Sequence, residues 1–285
     1  MKKIVVTPAG RKKYLEILSK YLIKYKNEFD EWHLWCNTIV PEDVDYIREL
    51  SKDHDFIKII EMPDMSSKTD LHYWPDGNMI HAFTIPYFIQ VDSTDEDSVY
   101  LRLDDDILFI RENSIKNIFE YRINNDSNCL VYGNIINNSA ISNLHQTIGV
   151  LPKTLGSVEF NAYDPISLYS GPFSELSHRT FFEKLETNSL DEYFFDPYVF
   201  KDYVLVSIQV ISWLGKDYKK FDGIIPAGFH EENYQSQSRP EIENRKNVVY
   251  GDGLFCHYSA AVNRGYVDTT DILSVYKKIS EEYLK

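Results

Sequence analysis

Three consecutive carboxylates, Asp104, Asp105 and Asp106, interrupt an apolar run that begins at Val99 and resumes with Ile107, Leu108, Phe109 and Ile110. Adjacent anions repel, and burying them unpaired costs several kcal/mol. A cation is therefore expected beside them. Hard oxygen ligands select Mg²⁺ or Mn²⁺, which usually take one or two carboxylates and complete their shell with water and substrate phosphates. A strand ending in Asp-x-Asp thus reads as a device for holding a metal-diphosphate. The plainer reading is a solvated acidic turn between two strands, steadied by Arg102. The apolar strand ahead of the triplet favours the first, because ligands of open α/β sheets bind beyond the carboxyl ends of strands.

Other residues supply matching chemistry. Gly251-Asp252-Gly253 turns into Leu254-Phe255-Cys256, and this short strand ends at His257, an imidazole suited to Mn²⁺. Arg264 follows, placed to meet a leaving diphosphate. Near the start, Ile4-Val5-Val6 runs into Thr7-Pro8-Ala9-Gly10-Arg11, a strand-breaking turn that can set backbone N–H groups and Arg11 against a nucleotide. It is no Walker phosphate loop, since the Gly-Lys-Ser/Thr ending is absent. Candidate bases for a hydroxyl are Asp191, Glu192, Glu231 and Glu232, with the Glu231-Glu232 pair preferred because it lies between two structured segments of the second half.

The elements that must position these groups alternate. Strands are predicted at 4–6, 32–36, 56–60, 99–103 and 129–132, with helices over 12–27, 41–52, 78–90 and 113–124. Pro86 predicts a kink or early end in the third helix. The alternation signals an α/β protein with a mainly parallel sheet covered by helices. The polar connection 62–77 is long enough to be functional, and His72 and His81, which flank it, read as structural. The second half is less regular: 135–170 is loop-rich, 172–186 a helix, 191–196 an acidic-aromatic segment of sugar-contact composition, 203–214 apolar and 235–247 a mobile polar loop. A helix over 270–284, N-capped by Asp268, Thr269 or Thr270, closes the chain.

Bulk properties exclude some classes. With 285 residues and a net charge of −14, the chain is a poor candidate for binding nucleic acid or an anionic membrane. Three scattered cysteines, Cys36, Cys129 and Cys256, argue against a disulfide scaffold and for a reducing compartment. No stretch approaches the roughly 18 apolar residues of a membrane span. The expectation is a cytoplasmic protein, with peripheral membrane contact through its acceptor.

Taken together, the opening strand and its turn, the alternation, the block Tyr100-Leu101-Arg102-Leu103-Asp104-Asp105-Asp106-Ile107 and the late His257 resemble a GT-A glycosyltransferase with a DxD motif, of the kind that builds bacterial and viral surface polysaccharides. Ile211-Ser212-Trp213-Leu214-Gly215-Lys216-Asp217 and Cys256-His257-Tyr258-Ser259 are similar to segments of such enzymes. The resemblance implies one GT-A domain over 1–285. Residues 1–135 would form a Rossmann-like nucleotide-sugar half with a mixed, mainly parallel sheet. Residues 136–268 would form the acceptor and metal-completing half, and 269–285 the C-terminal helix. It implies Mn²⁺ or Mg²⁺ on Asp104, Asp106 and His257. Thr7, Ala9, Arg11, Arg102, Asp104, Asp105 and Arg264 would contact a nucleotide-diphosphate sugar, guessed as a UDP-sugar. Glu231, Glu232 or Asp191 would act on a glycan or lipid-linked acceptor hydroxyl, and a retaining enzyme would need no such base.

Three rivals stand beside this reading. In a phosphoryl-transfer hydrolase the first Asp of Asp-x-Asp is a nucleophile, but that motif lies on the first strand, whereas three strands precede this one. A non-catalytic nucleotide- or sugar-binding module would share the fold without turnover. A nucleotidyltransferase also uses paired Asp and metal, and Gly10-Arg11-Lys12-Lys13 offers part of the basic glycine loop it needs.

Overall fold

The computed structural model describes residues 1–62, 81–227 and 229–285. The connection 63–77 and His72 lie outside them, as do the first residues of the predicted third helix and the side chain of His81. The opening alternation is present as β1 (Lys2–Ala9), α1 (Lys12–Lys24), β2 (Glu31–Cys36), α2 (Pro41–Lys52), β3 (Ile57–Ile60) and α3 (His81–Asp92). β4 (Ser98–Leu103), β5 (Ile107–Ile110), α4 (Ser114–Asn124), β6 (Val131–Ile136) and α5 (Ser139–Thr147) follow. α1 turns Tyr14, Leu15, Leu18, Tyr21 and Leu22 inward at helical spacing. The central strands are buried along almost their whole length, as strands covered on both faces must be.

The second half adds α6 (Pro165–Tyr169), α7 (Gly171–Glu186), β7 (Tyr198–Val199), β8 (Val210–Leu214), α8 (Gly215–Lys219) and α9 (Glu231–Asn233). A π-turn (Tyr234–Ser238), α10 (Arg239–Ile242), β9 (Val248–His257), α11 (Arg264–Val267) and α12 (Ile272–Tyr283) complete the chain. All nine strands of the described residues join one sheet, in the order β3-β2-β1-β4-β8-β6-β9-β5, with β7 paired to β9. β1, β2, β3, β4, β6 and β9 run one way, while β8, β5 and β7 run against them. The fold is therefore a mixed α/β architecture, Rossmann-like in its first half, with a mainly parallel sheet flanked by helices. No helix among the described residues is long and apolar enough to cross a membrane.

Strand order alone shows that the sheet curls. β4 and β5 stand four places apart, about 19 Å in a flat sheet. Only Asp104, Asp105 and Asp106 separate them, and four residue steps span at most about 14 Å. The far edge must bend back toward β4, and the triplet forms the seam.

Several expectations change. β1 continues through Thr7, Pro8 and Ala9, which pair with Leu34, Trp35 and Cys36, so the turn starts at Gly10. Pro8 is tolerated because pairing with β4 ends at Val6, and its missing N–H faces that open side. α3 runs past Pro86 to Asp92 and stacks Phe88 on Trp35. The 235–247 segment is no mobile loop. Tyr234, Gln235, Ser236, Arg239 and Pro240 are buried, Ser236 Oγ accepts from the Val206 N–H, and the Arg239 guanidinium lies 4.6 Å from the Tyr218 ring centre. Asp271, rather than residues 268–270, stands at the N-cap of α12.

One buried polar cluster gives a pH prediction. His33 is 8% exposed between Asp92, 2.8 Å from Nδ1, and Glu31, 2.8 Å from Nε2. Burial opposes its charge, but the two carboxylates win and raise its proton affinity above the ordinary value of 6.5. A raised histidine stabilises the fold fully below that ordinary value and loses the contribution as pH climbs through the folded one. Thermal midpoints between pH 6 and 9 are expected to fall along a slope that His33→Gln makes shallower. An unchanged slope in the variant would assign it elsewhere.

Candidate functional site

Strand order reverses at β1 and β4, and the carboxyl ends of these two strands carry the site. The Gly10-Arg11 corner leaves β1, and the triplet leaves β4. Asp105 is 2% exposed and accepts from the Gly10 N–H at 3.1 Å and from Arg11 Nε at 3.0 Å, with a further short contact to Arg11 Nη2. Asp106 is 1% exposed, and its Oδ2 lies 2.9 Å from Arg264 Nη2 and 3.2 Å from Arg11 Nη2. Asp104 is less covered and accepts at 2.9 Å from Arg102 Nε. The triplet is thus an acidic turn between two strands, as the plainer reading had it, but a buried one compensated by three arginines.

Its electrostatics are uneven. Burial pushes the Asp106 carboxyl up, yet the attraction of Arg11, of His257 in its protonated form and of Arg264 outweighs it and brings the value down to about 2. Burial dominates at Asp104 and Asp105 and raises both. Asp106 is therefore the member held most firmly as an anion.

His257 comes from the end of β9, whose antiparallel pairing with β5 sets it opposite Ile107. Its Nε2 lies 3.5 Å from Asp106 Oδ1, a buried oxygen with no hydrogen-bond partner. That separation is too long for a charge-assisted hydrogen bond, which is about 2.8 Å. It approaches the spacing of two ligands of one ion: atoms about 2.1 Å from a Mg²⁺ and at right angles lie about 3.0 Å apart. Among the described residues, no group of three or more His, Cys, Asp or Glu is gathered to hold a metal. The expected set of Asp104, Asp106 and His257 is therefore not assembled, because Arg102 engages Asp104. Asp106 and His257 remain a fitting pair, since Mg²⁺ and Mn²⁺ need few protein ligands when phosphates supply the rest.

The two adjacent glutamates separate. Glu231 is 2% exposed and accepts from Arg102 Nη1 at 2.6 Å, with a short contact to Gln235 Nε2. Burial, opposed by Arg102 and aided by Glu232 and Asp104, pushes it up to about 7. It braces Arg102 and does not line the cavity, which corrects its place as a base. Glu232, half-buried, does line it. Asp191 is exposed on a 3₁₀ turn (Leu190–Tyr193) and is not a lining residue either.

Other expected contacts move. Thr7 and Ala9 are buried on one face of β1, where Thr7 Oγ1 accepts from Trp32 Nε1 at 3.0 Å, while the period of two turns Pro8 toward the cavity. Arg102, 4% exposed, stands behind the carboxylates. Arg11, Asp104, Asp105, Arg264, Asp106 and His257 all line the cavity. Asn37, at the end of β2, was missed as a contact. It lines the cavity, is 2% exposed, and its Oδ1 has no partner. The only sequence signal for it was a polar residue directly after an apolar strand. Leu168 and Ala260–Val262, which also line the cavity, carried no signal of their own.

No protein-family model matches the chain, and no curated protein does. Among solved structures, a CMP:2-keto-3-deoxy-manno-octonic acid synthetase complexed with CTP is similar at 12% identity and a TM-score of 0.48, with 99% of this chain and 100% of that chain covered. This is a likeness of fold and carries no argument about chemistry. What stands is the α/β fold with its Rossmann-like half and a carboxylate-histidine site at the strand-order reversal.

Proposed function

We propose that the chain is a metal-dependent glycosyltransferase that moves a sugar from a nucleotide-diphosphate sugar to a hydroxyl of a glycan or lipid-linked acceptor. The observation that carries this is the buried, unpartnered Asp106 Oδ1 facing His257 Nε2, between Arg11 and Arg264, in a cavity that Glu232 also lines. Asp106 and His257 would hold Mn²⁺ or Mg²⁺. When bound, the ion offsets charge that grows on a leaving diphosphate.

The chain's own residues do the rest. Arg11 and Arg264 border the diphosphate position as cations. Asp105, by holding the Gly10 N–H and the Arg11 guanidinium, fixes the corner that presents Arg11. Asn37 faces the base with an amide that can both donate and accept. The acceptor oxygen forms its bond to the anomeric carbon as the bond from that carbon to the diphosphate oxygen breaks. Glu232 takes the acceptor's proton. Glu232→Gln is expected to lower kcat about 10²- to 10⁴-fold with donor affinity unchanged. A variant with full turnover would make Glu232 a bystander.

Nucleotidyl transfer is the second reading, favoured by the Arg11-Lys12-Lys13 edge beside the corner. One experiment separates the two. Nucleotide-diphosphate sugars with Mn²⁺ release a nucleoside diphosphate under the first, while nucleoside triphosphates with a free sugar release pyrophosphate under the second. Release of neither, with binding retained, would leave a binding module.

A further inference from the structure

The Asp106–His257 pair is useful only if the ring of His257 is held with the right nitrogen forward. β6 ends beside β9 with Ile136 opposite Cys256, so the next residue, Asn137, falls beside His257. Asn137 adopts a left-handed backbone (φ 63°), a conformation that asparagine and glycine tolerate and β-branched residues do not. This turn aims its carbonyl at His257 Nδ1, 3.2 Å away. A carbonyl only accepts, so Nδ1 carries the hydrogen and the lone pair of the neutral ring sits on Nε2, the atom that faces Asp106.

The side chain of the same residue grips the other end of the segment. Asn137 Nδ2 donates to the Tyr258 carbonyl at 2.8 Å and lies 3.4 Å from the His257 carbonyl. The Tyr258 N–H in turn donates to the Asp106 carbonyl at 2.9 Å. Asn137 therefore clamps the peptide that carries His257, and that peptide is tied to the backbone of its partner.

We infer that Asn137 is the positioning residue of the site: its carbonyl sets the His257 tautomer and its amide fixes where the ring stands relative to Asp106. This rests on the metal reading above and deepens it. Groups that hold a ligating histidine from behind typically change metal affinity 10- to 100-fold when altered.

The test uses Asn137→Gly and Asn137→Asp. Both accept the left-handed backbone, and both lose the amide donor. Mn²⁺ is titrated by electron paramagnetic resonance, with and without UDP, in wild type, in each variant, and in each variant combined with His257→Ala. Ring ¹⁵N shifts of the wild type report the tautomer without metal. The expected results are an Nδ1–H ring in the wild type, a loss of Mn²⁺ affinity of about tenfold or more in each single variant, and no further loss when His257 is already absent. An Nε2–H ring, wild-type affinity in both variants, or an equal loss on the His257→Ala background would overturn the inference. A wild type that takes up no Mn²⁺ overturns the metal reading and the inference with it, and the tautomer spectrum separates that failure from one of positioning alone.

Discussion

Asp106→Asn is expected to abolish Mn²⁺-dependent nucleotide binding and to lower transfer at least about 10³-fold, the scale of losing one preorganised charge-stabilising group. The substitution keeps the shape and an oxygen but removes the anion. It also unbalances the site. Arg11 and Arg264 both neutralise Asp106, so its loss takes a carboxylate partner from two half-buried cations. Asp106→Ala should therefore destabilise the fold as well as the site, rather than relieve crowding among three anions. Calorimetric titration with UDP, GDP, CDP and dTDP, each with and without Mn²⁺, reads the first effect, and the thermal midpoint reads the second. Retained metal-dependent binding in Asp106→Asn would remove the basis for the proposed activity.

Arg102→Met should cost about 3–5 kcal/mol of stability, as breaking a buried ion pair from one side does. Arg102 is 4% exposed between Asp104 and Glu231, and the variant leaves Glu231 buried with Gln235 as its remaining partner. The loss has a pH signature. A carboxyl whose folded value is raised weakens the fold as pH rises from its unfolded value to its folded one, here up to about 7 in the wild type. Without Arg102 the folded value climbs further, so the variant's deficit must widen between pH 6 and 8. Pairing it with Glu231→Leu, which removes the stranded carboxyl, should return part of the stability. A deficit that stays flat with pH would mean that Glu231 is not the group left stranded.

The readable parts of this chain were those where one period or one break carries the signal. Alternating apolar segments gave the opening β1-α1-β2-α2-β3, and the abrupt stop of an apolar strand marked Asp104 to Asp106 as the feature to explain. His257 was legible for the same reason, at the end of an apolar run, and Arg11 and Arg264 by proximity to these landmarks. Other positions depended on facts no spacing records. Glu231 and Glu232 are adjacent, so either could face inward. The choice was made by Arg102, 129 residues away, and by a turn wide enough to bury Gln235. Thr7 and Ala9 were placed on the wrong side because Pro8 suggests a turn, yet one edge of β1 is open there and the strand continues. The 235–247 segment looked solvated because its residues are polar, but several are bonded inside, Gln235 to Glu231 and Tyr218 and Asn247 to the Ser236 carbonyl. Asn37 and Asn137 are ordinary asparagines until the strands beside them are known.

The seam between β4 and β5 bears on the order in which this protein can assemble. Arg11 and Arg102 precede the triplet in the chain and can compensate it early, whereas Arg264 bonds Asp106 across 158 residues of sequence. β5 has no strand partner until β9 arrives. Contacts of such long range form late and slowly. The half that carries the carboxylates should thus pass through a state in which β5 is unpaired and Asp106 is only partly neutralised. Competence to bind an ion would then appear last and abruptly, with the docking of β9, rather than growing as the sheet grows.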